Sequence, residues 1–253
     1  MIDISCKKND FYFKNVSGII FDKDGTITDS NFYWSEIILR RSKKILKEFE
    51  LDKSLFGYVS SSMGLDLYSK TLLPEGPIAL KSRKEVISIL FKKISKLSNK
   101  ITEKSLADIF IEIHEEFKND ACDFIKPIEG VIEFIYLCKS SNLKLALISS
   151  DTEENTKQVV NLLNLNECFD MVIGGDSGFG DKKNGLSALH ICRELNLLPN
   201  QVISIGDAPS DFYMAREADL KGTVLVESGQ IDIIKLSNIN DFCIHKLSDL
   251  VIS

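Results

Sequence analysis

The stretch Gly18-Ile19-Ile20-Phe21-Asp22-Lys23-Asp24-Gly25-Thr26 decides how this chain is read. A short apolar run ends there in two aspartates, a glycine and a threonine. The run reads as a buried strand, and the polar residues sit where that strand would end. Two later segments repeat the arrangement: Leu143–Ile148 leads into Ser149-Ser150, and Gln201–Ile205 leads into Gly206-Asp207-Ala208-Pro209-Ser210-Asp211. In open α/β sheets, ligands bind outside the carboxyl ends of the strands. The three segments therefore point to one rim, although they lie far apart in the chain.

From about residue 126 onward, strand and helix patterns alternate. Leu143–Ile148, Phe169–Ile173, Gln201–Ile205 and Thr223–Val226 read as short buried strands. Asp151–Leu163, capped by Asp151 or Thr152, reads as a helix, as do Leu186–Leu195 and Pro209–Ala218 with its early proline. This rhythm predicts a doubly wound α/β fold, a parallel sheet covered by helices on both faces. The middle differs. Phe32–Phe49, Ile78–Leu97 and Thr102–Phe117 carry apolar residues at helical spacing beside charged faces, and strand signals are scarce. Ser60-Ser61-Ser62-Met63-Gly64 reads as a flexible loop, and the charged faces, Arg40 and Arg41 included, as solvated helix surface. The first dozen residues show no pattern. The predicted organisation is a core of 1–28 and 126–253, with a helical domain of 29–125 inserted after the first strand.

Bulk properties narrow the function classes. A chain of 253 residues holds one large domain or two small ones. A net charge of −6 argues against a nucleic-acid partner, which normally meets a positive face. No basic start leads into an apolar stretch with a cleavage site, and no apolar run approaches the roughly 18 residues of a membrane span. The six cysteines form no Cys-x-x-Cys pair and mostly lie in apolar stretches, which fits reduced core thiols in a cytoplasmic protein, monomer or homodimer.

The residue types at the rim carry the chemistry. Asp22 and Asp24 are two apart, so strand alternation would aim them alike if the strand continued. Gly25 permits a sharp turn. With Asp207 added, three carboxylates meet, and each like-charge pair costs roughly 4 kcal/mol at about 4 Å and an effective dielectric near 20. Such a cluster needs a cation. Hard oxygen ligands with few protein donors fit Mg2+, which keeps waters and takes substrate phosphate as a ligand. Ser149 can donate to a phosphoryl oxygen, and a lysine from the pair Lys182-Lys183 can neutralise another.

FDKDGTITDS, KPIEGVIEFI, LALISSDTEENT, FDMVIGGD, DKKNG and ISIGDAPSDFYMAREADL follow one another in an order and spacing that resembles the haloacid dehalogenase superfamily, specifically its phosphoglycolate phosphatase-like members. The similarity covers about 1–28 and 126–230, and the helical insert falls where that family carries its cap. The resemblance implies a Rossmann-like core and a phosphatase of small phosphorylated metabolites. It implies Asp22 as nucleophile, Asp24 as acid and base, and Ser149 and Lys183 as holders of the phosphoryl group, with Gly25, Thr26, Ser150 and Lys182 beside it. It implies magnesium held by Asp22, the carbonyl of Asp24, and Asp207. Asp211 would join directly or through water, or else position Lys183. A substrate-recognition loop would fall near Ser60–Gly64.

Three departures stand out. Lys23 replaces an apolar residue between the aspartates; its side chain is expected to point away from the metal, with Asp211 or substrate as other partners. Lys183 is followed by Asn184-Gly185 instead of proline, which keeps Lys182 open as the phosphate lysine. Ala208-Pro209 replaces a serine-containing turn. Rival readings fare worse. An EF-hand needs its glycine sixth, and here it is fourth from Asp22. A serine hydrolase needs a histidine base, and His114, His190 and His245 are poorly placed for one. A phosphomutase would share the aspartyl-phosphate, and a binding module on the same fold would have no reason to tolerate the clustered charge.

Overall fold

The computed structural model describes residues 2–8, 11–73, 76–81, 83–229, 231, 233–240 and 242–253. Along the chain come β1 (Ile2–Cys6), β2 (Tyr12–Val16) and β3 (Gly18–Asp22), then α1 (Ser30–Glu48), α2 (Phe56–Met63), β4 (Leu65–Asp66), β5 (Thr71–Leu72), α3 (Pro77–Leu80), α4 (Arg83–Ile94) and α5 (Glu103–Phe124). They are followed by α6 (Val131–Ser140), β6 (Lys144–Ile148), α7 (Glu153–Leu162), β7 (Met171–Ile173), α8 (Leu186–Glu194), β8 (Val202–Gly206), α9 (Pro209–Glu217), β9 (Gly222–Val226), α10 (Ile233–Ser237), β10 (Cys243–Ile244) and β11 (Leu250–Ile252). Two compact units result: Met1–Asp29 with Pro127–Ser253, and Ser30–Lys126.

The first unit is built on a six-stranded sheet in the order β10-β9-β8-β3-β6-β7, every pair parallel. Alternation along β3 explains why it sits at the centre. Ile19 and Phe21 face a layer with Val131, Phe134 and Ile135 of α6 and Val160 of α7. Ile20 faces the other way, with Ala188 and Ile191 of α8 and Met214 of α9. Both faces are buried, so the strand is apolar throughout, as parallel sheets require. A separate antiparallel sheet, β11-β1-β2, joins the two ends of the chain, with Ile4 opposite Ile252 and Phe13. The sequence pattern gave no sign of it. Its strands are short, half-exposed, and paired across nearly the whole chain.

The second unit is helical apart from the two-residue strands β4 and β5. Ile38 and Ile45 of α1, Val59 and Met63 of α2, Leu90 and Ile94 of α4, and Leu106, Phe110 and Ile113 of α5 share one core. Two expectations change here. Ser60–Met63 is the last turn of α2, not a loop, and Gly64 ends it at φ 104°. The serines are accommodated because Ser62 Oγ donates to the Tyr58 carbonyl at 2.7 Å and Ser60 Oγ to Ser42 Oγ at 2.9 Å. Arg41 is not a solvated surface residue. It is 3% exposed, with its guanidinium carbon 3.9 Å above the Phe110 ring and its Nε without a hydrogen-bond partner. Burial, with the Arg83 charge added, pushes it down to about 9. Arg40 is half-buried, its guanidinium over the Phe117 and Phe124 rings and paired with Glu36 and Asp120 at 2.9 Å each.

The expected helix 78–97 passes through Ser82, and Ser82 and the Cys122 side chain lie outside the described residues; the other five cysteines are free thiols. Among the described residues no helix is long and apolar enough to cross a membrane. A buried cation that lacks an anion costs more than an apolar side chain of similar volume. Arg41→Met should therefore raise the thermal midpoint or leave it unchanged; a fall of several degrees would show that stacking on Phe110 outweighs the desolvation.

Candidate active site

Strand register brings the site together. Phe21 lies opposite Leu147 of β6 and Ile205 of β8, and Asp22 lies opposite Ile148. Asp22, Ser149 and Asp207 therefore leave three neighbouring strands at nearly one level. From β3 the chain continues to β6 on one side and from β8 to β9 on the other, with α6 and α9 on opposite faces, so the strand order reverses between β3 and β8, where such sheets open a crevice.

One carboxylate oxygen from each of Asp22, Asp207 and Asp211 lies within 4.8 Å of the others. Asp207 and Asp211 are 9% and 1% exposed. Three glycines make this approach possible, among them Gly229, where a Cβ would stand 1.7 Å from Asp207 Oδ2. Gly25 has φ +85°, and a Cβ there would stand 2.3 Å from Asp207 Oδ2. A Cβ on Gly206 would stand 2.1 Å from Asp211 Cγ. Asp211 is fixed at the start of α9 by the Ala208 N–H, which donates to its Oδ2 at 3.1 Å. Thr26, fully buried, places its hydroxyl 3.5 Å from Asp207 Oδ1.

A lysine enters this cluster, and it is Lys182. Its Nζ donates to Asp22 Oδ1 and to the Ile148 carbonyl at 3.3 Å, and lies 2.6 Å from Asp211 Oδ1. The contact to Asp211 is an ion pair without hydrogen-bond direction, so that buried oxygen has no hydrogen-bond partner. Lys183 is exposed and turned out of the site, its backbone N–H donating to Asp181 Oδ1 at 2.9 Å. Of the two lysines that the sequence leaves open, the structure brings Lys182 into the cluster and leaves Lys183 outside it. In the single 3-10 turn Lys182–Asn184, capped by Asp181, neighbouring side chains point in different directions.

Three carboxylates against one ammonium leave a formal charge of −2 in a dry place. Burial, reinforced by Asp211, pushes the Asp22 carboxyl up to about 6. Burial, reinforced by Asp22 and Asp211, raises Asp207 well above the ordinary carboxylate range. Burial disfavours the Lys182 charge too, but Asp211 and Asp22 outweigh it and shift that group upward. The donor set fits a small hard divalent cation: three hard carboxylate ligands, from the ends of β3 and β8 and the first turn of α9, and a matching charge deficit.

Asp24 is not part of this cluster. The chain turns directly after β3, with the Lys23 carbonyl accepting from the N–H groups of Ile27 and Thr28 at 2.9 and 3.0 Å, so strand alternation stops at Asp22. The third carboxylate is Asp211 instead. Asp24 Oδ1 accepts from Thr28 Oγ1 at 3.3 Å, and its Oδ2 pairs with Lys23 Nζ at 3.2 Å. Burial raises the Asp24 carboxyl, opposed by Lys23 and helped by Asp22 and Asp151. Lys23 itself is 3% exposed, and its Nζ also lies 2.9 Å from Asp151 Oδ2. Asp151 drew attention in the sequence only as a helix cap. The cap is Thr152, whose side chain accepts from the Asn155 N–H. Ser149 is buried beside the rim, its Oγ accepting from the Asp151 N–H at 3.1 Å, and Ser150 is exposed.

The model of the haloacid dehalogenase-like hydrolase family matches residues 19–225. The chain belongs to that family. It is 28% identical over 237 residues to a phosphoglycolate phosphatase of Aquifex aeolicus, covering 92% of this chain and 94% of the relative. It is 23% identical to a phosphorylated carbohydrates phosphatase of Thermotoga maritima, covering 87% and 94%. A haloacid dehalogenase-like hydrolase structure from Streptococcus pneumoniae superposes with a TM-score of 0.60 at 19% identity, covering 92% of this chain and 96% of that one.

Two outcomes follow from the site. A carboxyl raised to about 6 keeps in the folded chain a proton that the unfolded chain loses near 3.8. Stability of the metal-free protein therefore falls as pH rises through that window. A divalent cation should reverse this, raising the melting temperature clearly near pH 7.5 and little near pH 5, and Asp207→Asn should abolish the gain. An ion-independent midpoint near pH 7.5 would contradict the cation site. Lys182→Ala should lower turnover about 10²–10³-fold, and Lys183→Ala no more than about twofold, as for an exposed charge. The reverse order in steady-state kinetics would contradict the placement.

Proposed function

We propose that the chain is a magnesium-dependent phosphatase that hydrolyses a small phosphorylated metabolite through an aspartyl-phosphate on Asp22. The observation that carries this reading is the Asp22–Asp207–Asp211 cluster with Lys182 inside it, at the carboxyl ends of β3 and β8. The family supplies the hydrolase class, and the phosphatase names of both relatives favour phosphate monoesters.

Asp22, Asp207 and Asp211, with the Asp24 carbonyl, would hold the magnesium. When bound, it supplies positive charge to the phosphoryl oxygens while keeping some of its waters. The chain's own residues divide the remaining work. Asp22 attacks phosphorus, the bond from phosphorus to the ester oxygen breaks, and Asp24 gives its proton to that leaving oxygen. Water then attacks the same phosphorus, its proton passes to Asp24, and the bond to Asp22 breaks, releasing phosphate. The upward shift of the Asp24 carboxyl suits a group that must begin protonated. Lys182 neutralises a phosphoryl oxygen, and Ser149 offers its hydroxyl to another. Gly25 and Thr26 keep Asp207 in place. A cytoplasmic location, read from the cysteine pattern, belongs to this proposal.

Hydrolysis of p-nitrophenyl phosphate should require magnesium, stop in excess EDTA, and vanish in Asp22→Ala. Asp24→Asn should turn over slowly and accumulate phospho-enzyme. Full activity in EDTA would refute the metal. On sugar phosphates, isomer formation outpacing phosphate release would identify a phosphomutase, and neither product would leave a binding module.

A further inference from the structure

Lys23 is a charged residue in a place that an apolar side chain would fill at lower cost. Its side chain is 3% exposed, yet its Nζ lies 2.9 Å from Asp151 Oδ2 and 3.2 Å from Asp24 Oδ2. Burying a lysine between two carboxylates gains little net stability, because desolvation offsets most of the attraction. What it does achieve is geometry. Both oxygens of Asp24 are held, Oδ2 by Lys23 and Oδ1 by the Thr28 hydroxyl at 3.3 Å.

The other end of the clamp is equally fixed. Asp151 Oδ1 accepts from the Thr152 N–H at 2.8 Å and from Asn155 Nδ2 at 3.1 Å, and the Asp151 carbonyl accepts from the Gly175 N–H at 2.6 Å. Asp151 is therefore tied to the first turn of α7 and to the segment after β7. Burial would raise its carboxyl, but the Lys23 charge and hydrogen bond overcome this and hold it below the ordinary range.

We infer that Lys23 and Asp151 form a positioning pair that holds the Asp24 carboxylate in the pose from which it exchanges protons with the leaving group and with water. The inference rests on the phosphatase reading given above and adds to it two residues that touch neither phosphorus nor metal. A side chain that fixes the acid–base group should leave substrate affinity alone and slow the steps in which that group moves a proton. With p-nitrophenyl phosphate the phenolate leaves without needing a proton, whereas water attacking the phospho-enzyme must give one to Asp24, so the second step suffers most.

Lys23→Met, which keeps length and removes charge, should lower kcat about 10- to 100-fold, part of the 10²–10⁴ that a positioned proton-transfer group contributes. KM should fall in step with kcat, leaving kcat/KM within about twofold, because binding and formation of the phospho-enzyme from this substrate are untouched. Intact-mass analysis of acid-quenched reactions should show phospho-enzyme accumulating in Lys23→Met and not in wild type. Asp151→Asn should give the same signature more weakly, and the double variant should be no slower than Lys23→Met alone, because both changes act through one contact. Urea midpoints of the metal-free proteins should show the same coupling, independent of turnover. Wild-type kcat in Lys23→Met, losses that multiply in the double variant, or a slow variant without accumulated phospho-enzyme would each overturn the positioning role. A wild-type protein that neither releases phosphate nor becomes phosphorylated would instead overturn the function on which it rests.

Discussion

Mutual repulsion among three buried carboxylates is the constraint on which the rest of this structure depends. Asp22, Asp207 and Asp211 converge where water is scarce, and Lys182 neutralises only one of their charges. At separations of about 5 Å and an effective dielectric near 20, each unscreened pair costs roughly 3 kcal/mol. The fold tolerates this because its parallel sheet, packed by helices on both faces, holds the strand ends in register. Glycines at 25 and 206 remove the side chains that would keep the carboxylates apart. A site that is costly when empty of cation is well suited to bind one, and then to bind a phosphoryl group whose charge the cation shares.

The two lysines of the site divide its charge into separate compartments. Lys182 belongs to the cation cluster, while Lys23 sits across the Asp22–Asp24 turn and draws Asp24 toward Asp151. Two neighbouring aspartates thereby acquire different surroundings and, in the proposed reaction, different duties. Asp22 faces Lys182, Asp207 and Asp211, the cluster proposed to hold the metal. Asp24 stands aside, both oxygens held, where it can move protons without competing for the cation. Tuning two carboxyl groups apart by their surroundings is a general route to acid–base chemistry near neutral pH.

Much of this was legible in the sequence, and the reasons are local. The βαβα rhythm after residue 126 encodes a buried parallel sheet because both faces of each strand must be apolar. Asp22 and Asp207 were visible because polar residues follow those runs directly. What escaped depends on angles and distant pairing. Whether Lys182 or Lys183 turns inward is decided by one 3-10 turn. The β3 strand ends at Asp22 and not beyond Asp24, which a period-two pattern cannot tell. Lys23 reaches a partner 128 residues away, which no local pattern indicates. The serine run at 60–62 reads as a loop by composition, yet its hydroxyls are satisfied within and between helices. The terminal sheet pairs β1 with β11 across nearly the full chain, and no local signal announces such a contact.

The central claim is that Asp22 accepts a phosphoryl group beside a divalent cation held by Asp207 and Asp211. A crystal structure of the protein with magnesium and beryllium fluoride tests this most directly. The account predicts beryllium bonded to an Asp22 carboxylate oxygen, the cation bridging Asp22 and Asp207, and Lys182 Nζ against a fluorine. Fluoride bound elsewhere, or magnesium seated away from these three aspartates, would contradict it.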